Sequence, residues 1–536
     1  MGPSPPRRGK ISNSMKMLKQ NVVLILVFLL TLLSHGWNYG GYPAFEGDEG
    51  TYTSQGWWIV RMGDIAPYSY WYDHSPFGWL TIGVWQLATG GPFTLGFSLL
   101  STRLFMVLVA GVTNLFLYLL AYRLTKSVRA SLMASLLFAF SPIAIFFHRR
   151  VLLDNLMTMW FVLSLYFLWR KKGNMLHLWI SGLCFGLAFL SKEVTIIFLP
   201  VMIYALWGQT KGENGRFSKA VWCMSAFFLM SFFPLLAILK HEFFPAGWVG
   251  DVSRVSLVDT IVFQMTRGVG KQLWESTSQF QMSLRTWFGL DGFLTYFGAI
   301  SAVIVFLFHK LDARYRMVSL MVFSFIIFLA RGGLVMDFYI VPLLPLLCLS
   351  FALFLTLAST YLGGIWNRRL VGIFTIPAYL LLIFSFLVAG KRLYLEQATQ
   401  SQIASVAYTR ETLPPDARVI VDAWAYLDMR LPRTHGEKYF VNAEWFSKIL
   451  LDPAIRDKKF GNDWRNIDYI LLTHEMIQLM NTETDPSLLR LAMKEGKMIK
   501  DFPPLDPGTR NISRMYSVSA DWATLLGRPS LFSESL

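Results

Sequence analysis

Along the first three quarters of the chain, apolar runs of about 20 residues alternate with short polar connectors. Each run is long enough to cross a hydrocarbon core of about 30 Å as a helix. The pattern predicts helices near residues 20–38, 100–122, 129–147, 151–169, 175–190, 193–208, 219–240, 286–308, 315–331, 336–361 and 369–390. Past residue 390 the pattern changes. There "ARVIVDAWAYL" and "NIDYILLTHEM" read as buried strands followed by turns or helices, and "ETLPPDAR" reads as a helix end before a strand. The predicted fold class is a multi-pass α-helical membrane protein of about eleven transmembrane helices with a small C-terminal α/β domain. The expected domains are residues 1–390 and 391–536. The first run lacks a small-residue cleavage site and leads directly into "GYPAFEGDEG", so a retained helix is expected rather than a signal peptide.

Composition agrees with a membrane protein. Of the 536 residues 54% are hydrophobic and only 15% charged, where soluble proteins have about 25% charged residues. The net charge of +15 would suit a nucleic-acid partner, but its distribution argues against one. Lys and Arg concentrate in short connectors, among them "PRRGKISNSMKMLKQ", "RLTKSVR", "WRKKGN" and "HKLDARYR". With the N-terminus in the cytoplasm, all of these fall inside, as the positive-inside rule requires. An odd number of crossings then places residues 391–536 outside. The expected location is a prokaryotic plasma (inner) membrane. The three cysteines, Cys184, Cys223 and Cys348, lie in apolar spans, which leaves no disulfide framework or cysteine-based zinc site in the polar regions.

Against this background the polar groups stand out. Residues 39–99 form a long outer loop rich in Trp and Tyr, suited to short interfacial helices. Its "FEGDEGTYTSQGWW" carries Asp48 and Glu49, with Gly47 and Gly50 expected to allow a tight turn. A solvated acidic loop is the plain alternative. A carboxylate held at an apolar surface is, however, disposed to act as a general base. In "FFHRRVLLDNLMTMW", Arg149 is placed in a short outer turn and Asp154 about one turn into the next apolar helix. An acid inside a membrane helix costs about 2.5–3.5 kcal/mol on insertion scales and faces a cavity or a partner. "LAFLSKEVTIIFLP" sets Lys192 beside Glu193; the two either neutralise each other or Lys192 faces an arriving anion. "RGGLVMDFYIVPLLPL" places Arg331, Asp337 and Tyr339 at another outer boundary.

Acids (Asp48, Glu49, Asp154) and bases (His74, Arg149, Lys192, Arg331) are thus expected on one membrane face. That set suits a reaction needing one carboxylate base and several cations for a phosphate leaving group. No phosphate-binding glycine loop, HExxH or CxxC is present, so neither a soluble nucleotide nor a conventional zinc centre has a motif.

The order of these pieces resembles the polyprenyl-phosphate-sugar-dependent glycosyltransferases of the GT-C class, specifically the protein O-mannosyltransferase superfamily with the lipid A aminoarabinose transferases. The matching stretches are "GDEGTY", "RMGDIAPYSYWYDHSPFGWL", "RRVLLDNLMTMWF", "GLAFLSKEVTIIFLPV" and "FYIVPLLPL". By that resemblance Asp48 is the catalytic base and Asp154 the second family acid. Lys192 and Tyr339 match positions that face the lipid phosphate. The reaction would invert the sugar's anomeric centre, moving one sugar from a polyprenyl-phosphate donor to an acceptor protein, lipid or glycan outside the membrane. The lipid-linked sugar is the co-substrate; divalent-metal dependence varies across the family, and Asp73 and His74 are the pair to which a metal would be assigned. One departure is "YDHSPFGW", where aminoarabinose transferases carry an acid, a lysine and then proline. A histidine is cationic only part of the time near neutral pH, so Arg149 or Arg331 would take over the clamp. A transporter or flippase of a lipid-linked saccharide is the alternative. It would place ionisable groups near the bilayer midplane and often show a repeat, and no repeat is visible.

Overall fold

In the computed structural model the described residues are 8–67, 69–210, 215–245, 255–267, 273–308, 312–362, 368–451, 453–482, 487–504 and 513–518. Parts of three basic connectors (211–214, 309–311 and 363–367) lie outside them. The N-terminal helices are α1 (Arg8–Gly36), α2 (Gly47–Met62), α3 (Phe77–Ala88), α4 (Ser98–Thr125), α5 (Val128–Phe140) and α6 (Pro142–Arg149). Then come α7 (Leu153–Arg170), α8 (Met175–Ser191), a 3₁₀ helix (Glu193–Phe198), α9 (Leu199–Gln209), α10 (Gly215–Met230), α11 (Phe232–Leu239) and α12 (Leu257–Thr266). The series continues with α13 (Gln279–Leu307), α14 (Ala313–Leu329), a second 3₁₀ helix (Asp337–Leu343), α15 (Leu344–Leu362), α16 (Arg368–Ala389) and α17 (Lys391–Leu395).

Helix occupies each of the eleven predicted apolar windows. Among the described residues, four stretches are long and apolar enough to cross a membrane: Ser98–Thr125, Gly215–Leu239, Gln279–Leu307 and Asp337–Tyr361. Two bent pairs raise the number to six. One is α5 with α6, bent by 57° at Ser141, where Pro142 removes a backbone donor and its ring crowds the preceding turn. The protein is a multi-pass membrane protein.

The chain divides into two compact units. The first comprises residues 1–39, 69–82 and 103–395; the second comprises 40–68, 83–102 and 396–536. In the first unit small residues permit close helix approach. A Cβ on Gly182 of α8 would stand 2.0 Å from the Ser225 hydroxyl of α10, and one on Gly186 would stand 2.6 Å from Leu229. Hydroxyls tie the same helices: Ser164 of α7 and Ser181 of α8 each donate to the other's carbonyl at 2.8 Å.

The second unit contains a five-stranded sheet. Its elements after α17 are α18 (Gln400–Thr412), β1 (Val419–Val421), α19 (Ala423–Arg430), β2 (Ala443–Trp445), α20 (Phe446–Leu451) and α21 (Pro453–Phe460). They are followed by β3 (Tyr469–Thr473), α22 (His474–Thr482), α23 (Ser487–Glu495), β4 (Lys497–Phe502) and β5 (Ser513–Ser517). The strand order is β2-β1-β3-β5-β4, with β2, β1 and β3 parallel and β5 and β4 antiparallel additions. The buried runs of β1 and β3 coincide with the two stretches expected as strands. On one face Ile420, Ile470 and Leu472 pack with Phe446, Met476 and Leu489 from the helices.

Candidate active site

The first unit gathers a group of ionic side chains at helix ends. Asp154 sits in the first turn of α7, where the helix dipole favours a negative charge. Lys192 follows the last residue of α8 in an extended conformation (φ −158°, ψ 122°). Successive side chains on extended backbone leave on opposite sides, and this separates Lys192 from its neighbour Glu193. The Lys192 ammonium donates to Asp154 Oδ2 at 2.7 Å, with both side chains at most 4% exposed. Glu193 turns to His74, with Nδ1 and Oε1 3.0 Å apart, and also accepts from the Ser75 N–H at 3.4 Å. Mutual neutralisation of Lys192 and Glu193, one of the two expectations, is therefore not what the structure shows. His74 is engaged by a carboxylate.

Aromatic rings complete the Lys192 surroundings. Its nitrogen stands 5.0 Å from the ring centres of both Phe338 and Tyr339 in the second 3₁₀ helix, within cation–π range. Arg150 closes the group. Its guanidinium approaches Asp337 Oδ2 at 3.8 Å and stacks over Phe146 at 4.6 Å. Arg150, rather than its neighbour, is the arginine brought to Asp337. Sequence spacing did not separate two adjacent arginines, because the choice follows from α6 ending at Arg149.

Arg149 and Arg331 are used differently. Arg149 is fully buried; its Nε donates to the His35 carbonyl at 2.8 Å and its NH2 to that of Ser34 at 3.1 Å. Further bonds run to the carbonyls of Leu393 (2.6 Å) and Trp37. It thereby satisfies the orphan carbonyls at the end of α1; expected in a short outer turn, it is the last residue of α6 and a buried main-chain clamp. Arg331 is exposed, lies 4.1 Å over Phe328 and donates to the carbonyls of Phe328 and Leu334.

Asp48 and Glu49 belong to the second unit. The expected glycine turn is corrected: Gly47 to Gly50 form the first turn of helix α2. Asp48 is half-buried there, at the positive end of the dipole. Glu49 is fully buried and accepts from the Glu46 N–H at 3.4 Å, completing a capping box. The glycines serve close approach. A Cβ on Gly50 would stand 2.1 Å from the Ala423 carbonyl oxygen of α19, and the Gly47 N–H donates to Glu475 Oε2 of α22 at 2.9 Å. Ala423 and Glu475 lie two residues beyond the ends of β1 and β3. The helix carrying Asp48 is therefore seated at the carboxyl ends of parallel strands, where open α/β sheets usually take their ligand. Upstream, Phe45 exchanges two hydrogen bonds with the Gln402 side chain, at 2.8 and 3.0 Å. Among the described residues no group of three or more His, Cys, Asp and Glu side chains is arranged to hold a metal ion.

With this geometry in place, the chain can be set beside known proteins. The fold matches ArnT from Cupriavidus metallidurans, solved bound to undecaprenyl phosphate, with a TM-score of 0.55 at 13% identity over 93% of this chain and 98% of that one. It also matches the oligosaccharyltransferase AglB from Archaeoglobus fulgidus, with a TM-score of 0.58 at 14% identity over 95% and 75%. Residues 77–238 match the model of the dolichyl-phosphate-mannose-protein mannosyltransferase family. That stretch holds Asp154 and Lys192 but begins after Asp48 and His74. The undecaprenyl phosphate-alpha-4-amino-4-deoxy-L-arabinose arabinosyl transferase of Pseudomonas aeruginosa PAO1 is 32% identical over 134 residues, 23% of this chain and 24% of that protein. An enzyme of the same name from Pseudomonas fluorescens Pf-5 is 29% identical over 204 residues, covering 36% and 33%. The chain spans a quarter to a third of the length of these relatives. The resemblance read from the motifs, to GT-C polyprenyl-phosphate-sugar glycosyltransferases, is borne out.

Proposed function

We propose that this protein is an inverting membrane glycosyltransferase that moves one sugar from a polyprenyl-phosphate donor to a hydroxyl of an extracytoplasmic protein, lipid or glycan. The observation that carries this reading is the buried Lys192–Asp154 pair beside Phe338 and Tyr339. Charges buried in an apolar helix bundle are costly, and this pair sits in a fold shared with proteins that act on or bind polyprenyl phosphates. In the proposed mechanism Lys192, Tyr339 and Arg150 receive the donor phosphate and stabilise the charge that develops on it as the sugar leaves. Asp154 holds the Lys192 ammonium in place. Asp48 takes the proton of the acceptor hydroxyl as its oxygen attacks the anomeric carbon. Glu49 supports this role by capping the helix that bears Asp48.

The same reading has eleven crossings, a cytoplasmic N-terminus, residues 391–536 outside, and a prokaryotic plasma membrane as location. Mannose, another hexose and a pentose all fit the donor class. The matched proteins are named transferases, which favours the enzyme over the transporter alternative. The test is to incubate protein in nanodiscs with a panel of polyprenyl-phosphate sugars and membrane extract, and to follow donor loss and free polyprenyl phosphate by mass spectrometry. Turnover by the wild type and not by Asp48→Asn is the expected result. Equal donor loss in both proteins overturns the assignment of the base.

A further inference from the structure

A second lipid-sized site lies in the first unit, away from the Lys192 group. Helices α5, α13, α15 and α16 line a cavity of about 1010 Å³, at the top of the range for small-molecule pockets. Its walls are mostly apolar, with Met133 of α5, Phe293 of α13, Phe351 and Leu355 of α15, and Leu382 and Phe386 of α16. It runs beside α5 from Arg129 to Pro142 at the start of α6, somewhat less than the ~20 Å that a straight helix of that length would span, because the chain bends at Ser141. It shares no lining residue with Lys192, Asp154, Arg150 or Tyr339.

The two ends differ in charge. At the Pro142 end, α13 is broken at Asp291 (φ −156°, ψ 85°). The Asp291 carboxylate is satisfied internally: Oδ2 accepts from Ser141 at 2.5 Å and Oδ1 from the Leu294 N–H at 2.9 Å. At the other end stands the exposed Arg129, whose carbonyl accepts from the Tyr379 hydroxyl at 3.1 Å. Ser127 and Ser359 also line the cavity. An apolar trough with an exposed arginine at one mouth is complementary to a lipid with a negative headgroup, and basic pockets between membrane helices bind such headgroups. Gly289 adds a second indication. A Cβ there would find no atom within 4 Å, so helix packing does not require glycine at this position, and its missing side chain leaves the trough open.

We propose that this trough binds one anionic glycerophospholipid, its headgroup at Arg129 and an acyl chain running along α5 toward Pro142. The lipid lies on the face that carries the basic connectors and is not the sugar donor.

The experiment uses full-length protein in phosphatidylcholine nanodiscs containing a small fraction of phosphatidylglycerol with a photoactivatable acyl chain. The expected result is labelling within residues 351–359 and 378–389, competed by unlabelled phosphatidylglycerol and not by added phosphatidylcholine. Arg129→Glu should lower labelling about tenfold or more, given the attraction of each basic residue for an anionic surface. Gly289→Trp should remove labelling at an unchanged melting temperature, because its ring enters open space. Absence of labelling at these residues in the wild type, or equal competition by phosphatidylcholine, overturns the proposal. Displacement of the label by undecaprenyl phosphate also overturns it, by making the trough a seat for the donor's tail.

Discussion

Two acidic sites, one in each unit, are built on opposite principles. In the first unit Asp154 is buried and finds a full countercharge in Lys192 at 2.7 Å. In the second unit Asp48 rides on a helix fixed by backbone approach, with Gly50 against Ala423 and the Gly47 N–H on Glu475. Buried carboxylates elsewhere in that unit are held in both ways: Asp428 and Glu444 are paired with Arg433 and Lys459, whereas Asp422 meets only neutral donors. Asp422 accepts from the Ala423 N–H and the Thr473 hydroxyl, both at 2.7 Å, and burial pushes its carboxyl up to about 6. The first unit thus neutralises Asp154 with a full countercharge, while its other buried acid, Asp291, is met by a hydroxyl and a backbone N–H. The second unit positions a carboxylate by shape and leaves it half-exposed. A binding site for a fixed phosphate suits the first arrangement, and a base that meets an incoming acceptor suits the second.

The largest test of this contrast is removal of one charge from the buried pair. Lys192→Met leaves Asp154 uncompensated and should cost about 3–5 kcal/mol of stability. Adding Asp154→Leu should restore most of it, since apolar replacement of a whole buried pair is often near neutral. Thermal unfolding in nanodiscs measures both. Donor-lipid affinity should stay low in the double variant; wild-type affinity there would make the pair purely structural.

Next in size is Asp48→Asn, which should lower turnover by at least ~10²-fold, the low end for a lost general base. Its effect on melting should be small, because a half-exposed first-turn charge contributes only about 0.3–1 kcal/mol through the helix dipole. A melting change as large as that of Lys192→Met would erase the distinction between the two sites.

Gly50→Ala comes third. Its Cβ would collide with the Ala423 carbonyl at 2.1 Å, and overpacking of this kind costs about 1–3 kcal/mol. Turnover should fall with little change in donor affinity, because the residues proposed to receive the phosphate belong to the other unit. Parallel loss of donor affinity would show that the donor site depends on the seating of α2.

The smallest effect is a pH slope. The folded-state pKa of Asp422 is raised, so its neutral form favours folding, and that contribution is full below the ordinary carboxylate range. It is lost as pH rises through about 6, with a slope of no more than about 1.4 kcal/mol per pH unit for one group. Melting temperatures of wild type minus Asp422→Asn, between pH 4 and 7, should show this decline with rising pH. A difference that is flat across the range would mean that Asp422 is ionised throughout.

Much of the membrane unit was legible because its code is one-dimensional. A run of about 20 apolar residues has few alternatives to helix in a membrane, and a lysine or aspartate inside such a run stands out. Asp154 and Lys192 were visible for that reason. Their mutual pairing was not, since it depends on where α8 ends and on the extended backbone at Lys192. The same holds for Arg149 and Arg150, where one residue of helix length decides which arginine clamps main chain and which approaches Asp337. His74 was legible as a candidate but not its engagement with Glu193, 119 positions away.

By itself the sequence determined the multi-pass helical architecture, the strand character of 419–421 and 469–473, the basic connectors and which polar residues stand out in apolar runs. These follow from local periodicity and from the high cost of isolated charge in apolar surroundings. Only the tertiary structure decided that residues 40–68 join the C-terminal sheet in one unit, that Gly47 and Gly50 are needed for approach rather than for a turn, and that a trough opens beside Gly289. Each of these depends on which distant backbone comes close, and that is set by packing between segments hundreds of residues apart rather than by any pattern within one of them.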